Sequence, residues 1–205
     1  MPKLFICAKY HPIMIAKKDD LKIVIGGHFG AGKTTFVKTV GGTNTLLVEK
    51  RTTAKGELKK NCTTVGFDFA TIELDGQKLY LFGIPGQYRF NFLWDTLFEG
   101  ADAGIFLIDR TDKSKWPELF RQIQLFKRKN GQKPIIIAVN KNKMPNALPI
   151  EEVKAFLKNL GEFPILKIEA NSYDSILSLL KKVKDALSKN FKGTENFFEN
   201  SAAIG

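Results

Sequence analysis

Eight consecutive residues, Gly27-His28-Phe29-Gly30-Ala31-Gly32-Lys33-Thr34, have the types and spacing needed to hold a phosphate group. Gly27 and Gly32 allow backbone turns that a side chain would block, so successive N–H groups can point inward at one anion. Lys33 adds a positive charge, and Thr34 adds a hydroxyl able to ligate a magnesium ion that accompanies phosphate. Thr35 follows at the start of the next element. His28 and Phe29 fill positions that the pattern leaves variable, and His28 is read as a loop side chain rather than a catalyst. A loop of this kind identifies a nucleoside phosphate and not a base.

Such a grip works when a strand leads into the loop and a helix leaves it. Residues 21–26 are a short apolar run of strand type, and 34–40 can continue as a helix. Residues 65–74 and 78–84 are β-rich runs joined by Asp75-Gly76-Gln77, and an Asp-Gly pair between such runs signals a hairpin. Residues 103–109 and 134–140 are unbroken apolar runs, as in strands buried on both faces, and 163–170 is a weaker third. Helical patterning covers 116–129, 150–160 and 174–189. The alternation predicts an α/β fold of three layers. Its sheet should be mostly parallel but mixed, with one antiparallel strand, helices on both faces and ligands at the carboxyl ends of the strands. The domain spans 21–190. An extension of residues 1–20, a possible edge strand, precedes it, and a tail of residues 191–205 follows.

Of the 205 residues 43% are hydrophobic, which suits one substantial core and is thin for two. The two cysteines, Cys7 and Cys62, form no metal-ligand pattern and cannot build a secreted disulfide framework, so a cytoplasmic setting is expected. No transmembrane segment, signal peptide or lipid anchor is read from the chain. The net charge of +11 would suit a polyanion. The lysines are scattered, however, and clusters such as Lys127-Arg128-Lys129 fall in helical patterning, where charge marks a solvated face. No specific nucleic-acid partner is expected.

Four segments downstream of the loop resemble those of small Ras-like GTPases, in that family's order and approximate spacing, over residues 21–190. Thr63-Thr64-Val65-Gly66-Phe67-Asp68-Phe69 resembles the switch I threonine leading into a strand, with Thr64 at the magnesium-sensing position. Gly83-Ile84-Pro85-Gly86-Gln87 resembles the Asp-x-x-Gly-Gln of switch II. Asn140-Lys141-Asn142-Lys143 resembles the Asn-Lys-x-Asp base reader, and Glu169-Ala170-Asn171-Ser172 sits where the Ser-Ala-Lys loop belongs. Residues 85–95 and 143–149 are most similar to prokaryotic branches, the MglA-like proteins and the small GTPases associated with roadblock-domain partners.

The resemblance implies a P-loop NTPase G domain acting as a GTP-dependent molecular switch with Mg2+ as cofactor. The nucleotide, GTP or GDP, would be held by Gly27, His28, Phe29, Gly30, Ala31, Gly32, Lys33, Thr34, Thr35 and Gly86. Asn140, Lys141, Lys143, Ala170 and Asn171 would hold its base. Thr34 and Thr64 would ligate the metal, and Gln87 would orient the attacking water. Loss of the γ-phosphate would release residues 51–64 from the metal, and that change would signal to a protein partner, a roadblock-domain regulator by analogy. Hydrolysis is expected to be slow without a partner, because an arginine is usually needed to neutralise developing charge. Arg51 and Arg89 are internal candidates for it, and a partner could supply one instead.

Two residues depart from the family pattern. Gly83 stands where an aspartate would hold magnesium through water, and Asp68 on the neighbouring strand is a possible replacement. Lys143 stands where an aspartate would accept hydrogen bonds from guanine, and a lysine has only donors. These departures keep two alternatives open: a nucleotide-binding scaffold with little hydrolysis and relaxed base choice, and an ATP-binding protein on the same loop.

Overall fold

The computed structural model describes residues 3–5, 14–16, 19–52 and 63–188, with side chains over 19–45 and 67–188. Two short strands of the lead segment, β1 (Lys3–Phe5) and β2 (Met14–Ala16), pair antiparallel in a sheet of their own. Residues 1–2, 6–13 and 17–18 of that segment, Cys62 and the tail 191–205 lie outside the described residues.

The main body runs β3 (Leu21–Gly27), α1 (Lys33–Gly41), β4 (Thr45–Thr52), β5 (Thr63–Leu74) and β6 (Gln77–Gly83). It continues with α2 (Trp94–Phe98), β7 (Ala103–Asp109), α3 (Trp116–Asn130), β8 (Ile135–Asn140), α4 (Ile150–Leu157), β9 (Ile165–Lys167) and α5 (Tyr173–Ser188). Seven strands form one sheet in the order β4-β5-β6-β3-β7-β8-β9. β5 runs against both its neighbours, and every other pairing in the sheet is parallel, so β5 is the single reversed strand.

The hairpin between β5 and β6 forms where the Asp-Gly signal falls. Asp75 at φ 51° and Gly76 at φ 72° are both left-handed, as a two-residue turn matched to strand twist requires. β3 lies between β6 and β7 and is covered on both faces, which is why it reads as a continuous apolar run. Ile23 and Ile25 face one core and Val24 the other, the alternation that a pleated strand imposes.

The two cores are the two faces of the sheet. Phe36, Val37 and Val40 of α1 pack with Ile176, Leu179, Leu180 and Val183 of α5 on one side. Trp94 and Phe98 of α2, Leu119, Ile123 and Phe126 of α3, and Val153 and Leu157 of α4 fill the other. The spacing of Leu119, Ile123 and Phe126 is that of one helix face. Pro117 at the start of α3 and Gly131 at φ 60° just past its end fit the usual helix punctuation.

Three details differ from the sequence expectation. The edge strand β4 and the short helix α2 fall in segments whose patterns carried no assignment. The helix α4 stops at Leu157 rather than 160, ahead of Gly161 at φ 122°. β9 is only three residues long, and it is an edge strand with one neighbour, β8.

Because β3, β6, β7 and β8 are parallel, their carboxyl ends open on one edge of the sheet. The register sets Ile25 beside Gly83, Gly27 beside Leu107 and Asp109 beside Asn140. The loops that follow β3, β6, β7 and β8 therefore leave from the same rim.

Candidate phosphate and purine site

The loop after β3 needs its glycines for two different reasons. Gly27, Gly30 and Gly32 adopt φ of 133°, 82° and 103°, a region that L side chains rarely enter. Gly27 also lies so close to β7 that a Cβ there would stand 2.5 Å from the Leu107 carbonyl oxygen. Gln122, fully buried on α3, fixes this glycine from below. Its Oε1 accepts from the Gly27 N–H at 2.7 Å, and its Nε2 donates to the Gly27 carbonyl at 3.3 Å.

His28 is buried as well, with Nδ1 donating to the Phe29 carbonyl at 2.9 Å and Nε2 accepting from the Asp109 N–H at 3.2 Å. These partners define a neutral ring, and burial above all holds its pKa below the ordinary histidine value. It ties the loop to the end of β7 and is not placed for proton transfer. Phe29 is 56% exposed.

Lys33 opens α1 and is 8% exposed. Its ammonium donates to the carbonyls of Gly27 at 2.8 Å and His28 at 2.7 Å. Burial pushes its pKa down to about 8, with Asp68 and Glu118 pulling the other way. A buried ammonium that leans on carbonyl oxygens is stabilised by an incoming anion, so this residue fits a phosphate. Thr34 and Thr35 are exposed in the first turn of α1, and Thr34 Oγ1 donates to Asp68 Oδ2 at 2.6 Å.

The segment after β6 lies directly on this loop. A Cβ at Gly86 would stand 2.5 Å from Lys33 Nζ and 2.6 Å from the Phe29 nitrogen. The Ile84 N–H donates to the Ile25 carbonyl at 3.0 Å, and the Trp94 indole donates to the Pro85 carbonyl at 2.8 Å, which pins the segment at both ends. Gln87 is half-buried next to Gly86, and its Oε1 accepts from Arg89 Nε at 2.8 Å.

Farther along the rim, Asn140 donates from Nδ2 to the Ala31 carbonyl at 2.9 Å and accepts at Oδ1 from the Ala170 N–H at 3.1 Å. One amide thus ties three loops together. Lys141 takes a left-handed φ of 59° and pairs with Asp109 Oδ2 at 2.5 Å. Burial alone would raise the Asp109 pKa, but the hydrogen bonds from Lys141 and Thr111 outweigh it and hold the carboxyl below its ordinary value. Asn142 bonds the Val139 and Ile168 carbonyls at 2.8 and 2.9 Å and accepts from Arg110 at 3.0 Å.

The structure thus gathers residues 27–35, Gly86, Gln87, Asn140, Lys141 and Ala170 around one rim. Lys143 and Asn171 are exposed. Thr64 stands opposite Arg51 in the β4–β5 ladder. The side chains of both, and residues 53–62, lie outside what the structure describes. Sequence reasoning missed Gln122 and Asp109. The signal for Gln122 was a polar residue on the apolar face of α3, and for Asp109 an acid ending an otherwise apolar strand.

Among the described residues no helix is long and apolar enough to cross a membrane. The sequence profile of the ADP-ribosylation factor family matches residues 8–185. The ADP-ribosylation factor-like protein alp41 of Schizosaccharomyces pombe is 26% identical over 174 residues, 84% of this chain and 85% of its own length. The ADP-ribosylation factor-related protein 1 of Rattus norvegicus is 31% identical over 142 residues, 67% of each chain. ADP-ribosylation factor J of Dictyostelium discoideum is 28% identical over 138 residues, 66% of each chain. These relatives are eukaryotic, and they carry the wider small-GTPase resemblance without supporting the prokaryotic branch within it.

Proposed function

This chain belongs to the ADP-ribosylation factor family, and from that premise we propose that it is a guanine-nucleotide switch. It binds GTP with Mg2+, hydrolyses it slowly to GDP and phosphate, and presents its two switch segments to a protein partner. The supporting observation is the contact of Gly86 with Lys33, across the space of a single Cβ. A phosphate gripped by Lys33 is felt at once by the segment from Gly83 to Leu93.

Each residue's part follows from its place. The loop amides and Lys33 bind the β- and γ-phosphates, and Thr34 offers its hydroxyl to magnesium. A magnesium ion held there would neutralise charge on the transferring phosphoryl group. Gly86 can offer its N–H to the γ-phosphate. Gln87 orients the attacking water once its carbonyl leaves Arg89. Thr64 is the second threonine that the metal would recruit. Since it stands opposite Arg51 in the β4–β5 ladder, recruitment to the metal competes with strand pairing at that edge.

Asn140 and Ala170 shape the purine end, with Lys141 held against it by Asp109. The partner meets Tyr88 and Phe92, which are 50% and 58% exposed on the segment after Gln87. A roadblock-type regulator is the partner suggested by the likeness of residues 85–95 to that branch. A second reading, binding with relaxed base choice and little hydrolysis, is favoured by Lys143 alone.

Single-turnover hydrolysis of bound GTP tests the proposal. Phosphate release should be slow and magnesium-dependent, and Gln87→Ala should slow it by about tenfold or more. Unchanged turnover in that variant, with nucleotide still bound, would remove Gln87 from the mechanism.

A further inference from the structure

We infer that Asp68 supplies the magnesium-site carboxylate that Gly83 lacks, so that the acid has moved from β6 to the neighbouring strand. The inference deepens the nucleotide-switch reading and rests on it for the presence of a metal-bound phosphate at the loop.

Two distances, one from β6 and one from α1, converge on the Asp68 carboxylate oxygen. Asp68 and Gly83 are direct partners in the β5–β6 register. A Cβ built on Gly83 would stand 3.1 Å from Asp68 Cβ, 3.2 Å from its Oδ2 and 3.3 Å from Val37 Cγ2. The Asp68 side chain therefore takes up the room that a side chain on residue 83 would need. From there it reaches the first turn of α1, where Oδ2 accepts the Thr34 hydroxyl proton at 2.6 Å.

The chemistry of that hydrogen bond suits a metal site. A threonine hydroxyl has one proton and two acceptor lone pairs. Donating the proton to Asp68 leaves both lone pairs of the hydroxyl available to a cation. Magnesium retains several waters and is bound through one or two carboxylates together with substrate phosphates. Asp68 orients the hydroxyl and brings a negative charge to the same place. It lies near enough to the buried Lys33 ammonium to favour its charged form. An acid on residue 83 and an acid on residue 68 would crowd each other, so either one would have to shift to admit both.

The alternative is that Asp68 merely straps α1 to the sheet. Asp68→Asn separates the two roles, because an amide oxygen still accepts from Thr34 but carries no charge. The experiment uses the full chain loaded with GDP and measures GDP release in excess magnesium and in EDTA. In the wild type magnesium slows release. In Asp68→Asn and Asp68→Ala the magnesium needed for half of that slowing rises by about tenfold to a hundredfold. In the exchanged variant, Asp68→Gly with Gly83→Asp, it returns toward the wild-type value.

Wild-type magnesium dependence in Asp68→Asn overturns the inference, and so does an exchanged variant no better than Asp68→Gly alone. Should Asp68→Ala fail to fold, Asp68→Asn and the exchanged variant carry the test. The same measurement with ADP keeps the two levels apart. A protein that holds ADP in preference to GDP contradicts the guanine switch, while the effect of Asp68 on magnesium is still read.

Discussion

Asp68 and Gly83 face each other across the β5–β6 ladder, and the Asp68 carboxylate oxygen lies 3.2 Å from the place a side chain on Gly83 would begin. The absence of a side chain on one residue is what admits the carboxylate of the other. Gly83→Asp alone should therefore crowd Asp68 and Val37 and set two like charges together. We expect a loss of about 1–3 kcal/mol in urea unfolding. In the Asp68→Gly background most of that loss should disappear, and a double-mutant cycle measures the coupling. Additive effects of the two substitutions would show that the residues do not share one space.

Gln122 is the buried brace of the phosphate loop. Gln122→Ala leaves the buried Gly27 N–H without its side-chain acceptor, while the Gly27 carbonyl keeps the Lys33 ammonium as a donor. The expected cost is about 1–3 kcal/mol of stability by chemical denaturation, with faster release of bound nucleotide. Glu would not restore it, since a carboxylate lacks the N–H that reaches the Gly27 carbonyl at 3.3 Å. Stability unchanged within error in Gln122→Ala would mean that water replaces the amide.

How much of this was legible in the sequence depends on the range of the interaction. The loop at 27–34 and the Asp75-Gly76 turn were readable because their demands are local: left-handed backbone and a hairpin of matching twist. The strands 103–109 and 135–140 were readable because burial on both faces leaves a continuous apolar run. β4 was not, since an edge strand with one neighbour, β5, imposes little on its own sequence. Gln122 and Asp109 act on residues far along the chain, and only the packing of α3 and β7 against the loop makes them part of the site. Asp68 was legible as a possibility from the hairpin register. Its bond to Thr34 needed the placement of α1 over that hairpin.

Lys33 makes the affinity for phosphate depend on pH. In the free protein burial brings its pKa to about 8, against an ordinary value of 10.5. A bound phosphate raises it again, so the complex holds more protons than the free protein above pH 8. Affinity for GDP should thus be level below about pH 8 and weaken above it, by up to about tenfold per pH unit. The sign is opposite for the nucleotide-free fold. Between about pH 8 and 10.5 the unfolded chain holds the proton that the folded one has released, so this group's contribution to stability rises with pH. Equilibrium binding of a fluorescent GDP across pH 7 to 9 checks the first statement. An affinity that climbs above pH 8 would contradict it.

Lys143 stands where the small-GTPase pattern that this chain resembles has an aspartate. It is exposed and has no acceptor to offer guanine, while Asn140 ties the loops at 31 and 170 together and Lys141 pairs with Asp109. Introducing the acceptor by Lys143→Asp should sharpen the preference for GDP over ADP by about tenfold or more. A preference unchanged by this substitution would place residue 143 outside the base contacts.

The most direct test of the central claim is the identity of the nucleotide that the protein carries. Purified wild-type protein is denatured, the released nucleotide is identified, and GTP, GDP, ATP and ADP are then titrated with and without magnesium. A guanine-nucleotide switch predicts released GDP or GTP and tighter binding of both guanine nucleotides in the presence of magnesium. Released adenine nucleotide, with ATP or ADP bound more tightly than GTP or GDP, would contradict it.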